Sequence, residues 1–130
     1  MVGIVLVSHS AELAHGLSDL ARQVAGPDVR IEAAGGGPDG GLGTSGDRVR
    51  AAIEDAEQGD GVVVLCDLGS SILTVRHLLD GNGNGEGKRV RLVDAPMVEG
   101  AIAAAVVSSA SRPLEEVVKA AEDARGACKL

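Results

Sequence analysis

Two stretches of this chain, Val2–Val7 (VGIVLV) and Gly61–Cys66 (GVVVLC), are apolar at nearly every position. A strand with one wet face alternates apolar and polar residues. A strand apolar throughout is covered on both faces, as in a parallel sheet between helices. Val90–Val93 (VRLV) is a shorter run of this kind, and Val29–Ala34 (VRIEAA) alternates more, as a strand nearer an edge does. Helical periods separate the runs. Leu13, Leu17, Leu20 and Val24 recur at intervals of four, three and four, which predicts an inward stripe on the first helix. Asp47–Gln58 carries Val49, Ala52, Ile53 and Ala56 on one side; Ser71–Leu79 carries Ile72, Val75, Leu78 and Leu79. Val98–Ser109 is rich in Ala and Val, and Pro113 opens a last helix to about Ala124 with Leu114, Val117, Val118 and Ala121 inward. The order βαβαβαβαα over residues 1–130 predicts one α/β domain. It is doubly wound, with a mainly parallel central sheet of about four strands, right-handed crossovers and helices on both faces.

Such a core must be aliphatic, because Phe, Tyr and Trp are all absent. The same absence removes the aromatic platforms on which nucleic-acid readers stack bases, and a net charge of −7 has the wrong sign for a phosphate backbone. Composition therefore argues against nucleic acid and favours a protein partner with a basic face. Cys66 ends an apolar run and reads as a small core residue; it forms no CxxC motif with the distant Cys128. The N-terminal residues lack a basic segment, and no apolar stretch approaches the roughly 20 residues that span a bilayer. A cytoplasmic chain without a membrane partner is expected.

Two glycine-rich stretches break the alternation. Gly35–Gly46 (GGGPDGGLGTSG) follows a strand and so lies at the carboxyl edge of the sheet, where ligands bind in folds of this kind. Gly81–Gly87 (GNGNGEG) precedes a strand and reads as a surface loop at the other edge. Its GEGKR segment is no Walker motif: Asn82 stands at the first glycine position, Arg89 replaces Ser/Thr, and a strand follows instead of a helix.

Of the three histidines, His15 and His77 fall on the outer faces of helices and read as solvated. His9 falls where the first strand becomes the first helix, close to free N–H groups and the positive end of the helix dipole. Its neighbours Ser8 and Ser10 are alternatives for a plain helix cap with His9 incidental to it. Asp67-Leu68-Gly69-Ser70-Ser71 ends the third strand as Ser-His-Ser ends the first. The two most apolar strands are the natural central neighbours, so Asp67 and His9 are expected side by side. Helix capping is the other reading of Asp67, with Ser70 or Ser71 a rival cap. A carboxylate on one imidazole nitrogen fixes the tautomer and leaves the other nitrogen a directed nucleophile. No GxSxG elbow and no second His or Cys offers another nucleophile or a metal site. Gly43-Thr44-Ser45 before the second helix, Gly69-Ser70-Ser71 before the third and Ser10 before the first supply small residues, hydroxyls and N–H groups for phosphoryl oxygens.

With these residues assembled, VSHS at 7–10, GTS at 43–45, DLGSS at 67–71 and APMVEGA at 95–101 give the chain a resemblance over nearly its whole length. It resembles the DhaM family, phosphotransferase subunits of dihydroxyacetone kinases dependent on the phosphoenolpyruvate phosphotransferase system (PTS), related to mannose-family IIA domains. The resemblance implies a homodimer whose His9 takes phosphate from the phosphocarrier HPr and passes it to ADP held on the DhaL subunit. The ATP so formed would phosphorylate dihydroxyacetone on the DhaK subunit; this chain itself would hold neither cofactor nor metal. Asp67 corresponds to the carboxylate beside the family's histidine. Ser71 stands where alanine is expected, and no HPr-like or enzyme I-like unit follows, so HPr would be a separate protein. Pro96 and Met97 would shape the rim, and Glu12 and Glu99 could add to an acidic docking surface. APMVEGA is otherwise an ordinary loop and helix start. The competing functions are a IIA component of a mannose-family sugar transporter, with a IIB protein as acceptor, and a non-enzymatic flavodoxin-like binding or regulatory module.

Overall fold

The two continuous apolar runs form the central strands β1 (Gly3–Ser8) and β3 (Val62–Cys66) of the structure, a computed structural model that describes residues 1–81 and 89–130. The order along the chain is β1, α1 (Ala11–Ala25), β2 (Ile31–Gly35), α2 (Gly46–Ala56), β3, α3 (Gly69–Gly81), β4 (Val90–Leu92), α4 (Met97–Ser109) and α5 (Leu114–Asp123). A short 3-10 turn, Ala124–Gly126, follows α5. All strand pairs are parallel and the sheet order is β2-β1-β3-β4. The register sets Ile4 beside Ile31 and Val63, and Val7 beside Ala34 and Cys66. The alternating β2 is an edge strand, as its pattern predicts. The stretch Gly81–Gly87 lies outside the described residues beyond Gly81, which ends α3.

Period-two geometry divides each central strand between two cores. Ile4, Leu6, Val63 and Leu65 pack with Leu17, Ala21, Ala104, Val117 and Ala121, so α1, α4 and α5 cover one face. Val5, Val7, Val62 and Val64 pack with Val49, Ala52, Ala56, Val75 and Leu78, so α2 and α3 cover the other. Burial of a Val, Leu or Ile side chain on this scale contributes about 1.5–3 kcal/mol each before the entropy of ordering is counted. The fold is thus the doubly wound α/β arrangement that the alternation predicts.

Helix α1 departs from expectation. Of the expected stripe only Leu17 is buried; Leu13, Leu20 and Val24 are 46%, 48% and 44% exposed. The inward residues are Ala14, Leu17, Ser18 and Ala21. The cause lies at the end of β2. A Cβ on Gly35 would stand 2.6 Å from the Cα of Ala11 and 2.9 Å from the Cβ of Ala14. The helix therefore starts in backbone contact with the strand, and mainly small side chains fit beneath it. The displaced leucines lie half a turn round the helix from Arg22, whose guanidinium donates to the carbonyl of Ile31 in β2.

Candidate phosphoryl-transfer site at the carboxyl edge

From β1 the chain crosses to β2 on one side, then returns to β3 on the other side of β1. The carboxyl ends of β1 and β3 therefore diverge at a topological switch point, where a crevice opens. Ser8 and His9 leave the sheet from one strand and Asp67 from its neighbour. The ladder runs one step beyond the paired Val7 and Cys66, with Asp67 N–H donating to Val7 O at 3.1 Å.

The Asp67 carboxylate is the centre of the site. Oδ1 lies 2.9 Å from His9 Nδ1, 2.6 Å from the backbone nitrogen of Leu68 and 3.0 Å from the hydroxyl of Ser71. Oδ2 accepts from the backbone N–H of His9 at 2.9 Å and from the hydroxyl of Ser8 at 2.8 Å. Burial alone would raise the carboxyl pKa, yet the donors from His9, Leu68 and Ser8 outweigh it and hold Asp67 well below the usual carboxylate range. An ionised Asp67 can only accept, so Nδ1 of His9 carries the ring proton and Nε2 presents its lone pair outward. That lone pair meets the hydroxyl of Ser70, at the start of α3.

The other sequence candidates divide by what their hydroxyls already do. The Ser10 hydroxyl caps α1 by accepting from Leu13 N–H at 3.2 Å, and Ser45, buried, caps α2 by accepting from Arg48 N–H at 3.3 Å. Ser71 is fully buried, and its hydroxyl faces Asp67 Oδ1 and the carbonyl of Leu68, at 2.7 Å, instead of the open side of His9. Gly43 donates its N–H to the carbonyl of His9 at 3.0 Å, with φ of 139°, a conformation that favours glycine. Thr44 reaches Thr74 Oγ1 at 2.8 Å, and Thr74 in turn donates to the carbonyl of Ser70 at 3.2 Å. Gly69 and Ser70 open α3, and their N–H groups have no partner within the helix.

Sequence reasoning missed Ser8 and Thr74 as parts of this network. Ser8 was legible as a polar residue ending an otherwise apolar strand, and Thr74 as the residue one turn after Ser70. Pro96 is the N-cap of α4, and Met97 packs against the larger core. Glu12 is exposed, whereas the Glu99 carboxylate pairs with Lys129 at 2.7 Å, which holds its pKa below the usual value. His15 and His77 are exposed on α1 and α3. Among the described residues there is no cluster of His, Cys, Asp and Glu that could hold a metal ion, and no helix long and apolar enough to cross a membrane.

Residues 3–119 match the family model described as "PTS system fructose IIA component". The chain is 40% identical to the phosphoryl donor subunit DhaM of a PEP-dependent dihydroxyacetone kinase from Pantoea ananatis, over 98% of this chain and 28% of that protein. The DhaM of dihydroxyacetone kinase 2 from Listeria innocua is 34% identical over 92% of this chain and 95% of its own length. The chain thus spans about a quarter of some curated relatives, such as the one from Pantoea, and nearly all of others. A crystal structure of a protein of unknown function superposes with a TM-score of 0.85 at 29% identity, covering 100% of this chain and 99% of the other.

Proposed function

The chain belongs to the PTS fructose IIA component family, alongside the DhaM phosphoryl donor subunits, and on that premise we propose that it relays a phosphoryl group through Nε2 of His9. The observation that carries this reading is the line Asp67 Oδ1, His9 Nδ1, His9 Nε2, Ser70 Oγ at the switch point. In the first half-reaction, the Nε2 lone pair attacks the phosphorus of the phosphorylated carrier HPr as the carrier's own P–N bond breaks. Nδ1 keeps its proton, so the phosphorylated ring is cationic and the Asp67 anion stabilises it. In the second, a β-phosphate oxygen of ADP held by DhaL attacks the phosphorus as the Nε2–P bond breaks, and the neutral imidazole returns. The ATP formed serves dihydroxyacetone on DhaK. The nucleotide is carried by the acceptor subunit, and the relay runs in the cytoplasm. Little covalent work falls to the protein beyond positioning and charge stabilisation.

Ser70 has two roles in this scheme. Its hydroxyl occupies the place the phosphorus must take, so it turns aside during transfer and becomes a donor to a phosphoryl oxygen. The free N–H groups of Gly69 and Ser70, with the loop at Gly43 and Thr44, supply further donors. Ser10, Ser45 and Ser71 support the site through the caps and bonds they already make.

Leu42, Leu68 and Leu73 stand 84%, 63% and 66% exposed, the first beside Gly43, the second beside Asp67 and the third on α3 beside Thr74. Apolar side chains so placed favour a protein as donor and acceptor over a small molecule in solution. The homodimer is assigned to the α1/α4 face. Helices α1 and α4 pack together, Leu13, Leu20 and Val24 of the one and Val98 and Val106 of the other are exposed, and α4 carries one charged residue, Glu99. In a chain of charge −7, an almost uncharged face is where two copies meet with least repulsion.

The test is incubation with phosphoenolpyruvate, enzyme I and HPr, followed by intact-mass analysis. One phosphoryl group is expected, absent in His9→Ala, and lost when DhaL–ADP is added but not with free ADP. Labelling that persists in His9→Ala overturns the assignment, and discharge only to a transporter IIB protein makes the chain a sugar-transport component.

A further inference from the structure

Ser71 is the residue of the site to which the relay assigns no contact with the phosphoryl group. Its hydroxyl is closed to solvent, has a single proton, and faces two acceptors: Asp67 Oδ1 at 3.0 Å and the carbonyl of Leu68 at 2.7 Å. Oδ1 is the same oxygen that holds the His9 ring at Nδ1, and it also receives the N–H of Leu68. When the Ser71 hydroxyl turns to Oδ1, three donors compete for the charge on that oxygen, whereas Oδ2 serves two, the Ser8 hydroxyl and the His9 N–H. A carboxylate oxygen shared among donors gives less to each. In that orientation the hydroxyl would leave less of the Oδ1 charge for His9 Nδ1 than a residue without a hydroxyl would.

We propose that Ser71 is a positioning residue that sets how firmly His9 holds its phosphoryl group, by drawing charge from Asp67 Oδ1 that would otherwise stabilise the phosphorylated ring. The assignment rests on His9 as the phosphoryl acceptor. With the hydroxyl turned to Oδ1, the cationic phosphoimidazole is less stabilised and a better leaving group, so discharge is favoured. With the hydroxyl turned to Leu68 O, Oδ1 is freed for the ring and the phosphorylated form is favoured. Ser8 acts on the other oxygen and also accepts from Ser10 N–H at 3.0 Å, so its main effect is on the local fold. Ser71 is thus a tuning element on the inner side of the carboxylate, out of reach of the phosphoryl group itself.

The experiment compares the wild type with Ser71→Ala, Ser71→Cys and Ser71→Thr. Cys nearly keeps the volume and replaces the hydroxyl by a weak donor, so it separates loss of the bond from formation of a cavity. Thr retains the hydroxyl. In Ala and Cys the Nδ1–H proton resonance of His9 is expected to move downfield. The equilibrium of phosphoryl exchange with HPr should shift toward this protein on the order of three- to tenfold, the scale of removing one donor among several from a carboxylate. Discharge to DhaL–ADP should slow by a similar factor, and Thr should behave as wild type. An unmoved Nδ1–H resonance with an unchanged exchange equilibrium in both Ala and Cys overturns the proposal. The resonance is read on the unphosphorylated protein with no partner present. A wild type that HPr cannot phosphorylate would therefore refute the relay, while the resonance still reports on Ser71.

Discussion

Replacing Asp67 by Asn tests the site most severely, because it removes the charge and keeps the volume. An amide nitrogen must take one of the two oxygen positions, and each position faces donors. At Oδ1 it would meet the His9 ring, Leu68 N–H and the Ser71 hydroxyl; at Oδ2 it would meet His9 N–H and the Ser8 hydroxyl. The second choice is cheaper, since Ser8 can turn to accept. His9 N–H is then left without an acceptor, at a cost of about 1–3 kcal/mol. The bonds remaining at Oδ1 are no longer charge-assisted, so the whole loss is about 2–4 kcal/mol. For a chain of this size that corresponds to a fall in Tm of about 10 °C. The loss must depend on pH. The folded-state pKa of Asp67 is depressed, so its contribution is fully present above the unfolded value of about 4 and fades as pH falls below that. Thermal melts of both proteins at pH 7 and at pH 3 should show the gap narrowing in acid. Phosphorylation by HPr should slow by about 10²–10⁴-fold, the range seen for orienting groups beside an active imidazole. A gap in Tm of equal size at both pH values would refute the charge argument, and an unchanged rate of phosphorylation would reduce Asp67 to a helix-end scaffold.

Ser70→Ala should slow single-turnover transfer from phosphorylated HPr by about tenfold or more, because one donor to a charged oxygen is lost; an unchanged rate would show that the hydroxyl contributes nothing to the phosphorylated state. Leu65→Ala, a fully buried β3 side chain against Gly100, should cost about 2–5 kcal/mol in urea unfolding. A loss under about 1 kcal/mol would mean that the larger core is looser than its packing indicates. Burial pushes the Cys66 thiol up to about 11, with the Ser71 hydroxyl opposing and the Asp67 charge adding to the rise. Native protein at pH 8 should therefore titrate one thiol, the exposed Cys128, and denatured protein two; prompt reaction of both in the native state would contradict this burial.

The sheet was legible because burial on both faces leaves an unmistakable mark. VGIVLV and GVVVLC have no polar residue to point at water, so their central place followed from composition alone. The juxtaposition of His9 with Asp67 was legible for the same reason: residues that end adjacent parallel strands emerge together, and the structure sets them 2.9 Å apart. The α1 stripe was not. Its leucine spacing identifies residues that share a face, whereas the choice of inward face depends on how near the strand lets the helix come. At Gly35 the two backbones touch, and that favours Ala14, Ser18 and Ala21. Hydroxyls were equally opaque. Ser10, Ser45, Ser70 and Ser71 look alike as serines at strand-to-helix junctions, yet one caps α1, one caps α2, one meets Nε2 of His9 and one is sealed behind Asp67. The amino-acid sequence by itself determined the layers, the strand ends and the type of chemistry, because apolar burial is strong, non-directional and written into runs of residues. Tertiary structure alone decided the face of α1 and the partner of each serine, because backbone clearance and hydrogen-bond direction depend on groups distant in the chain.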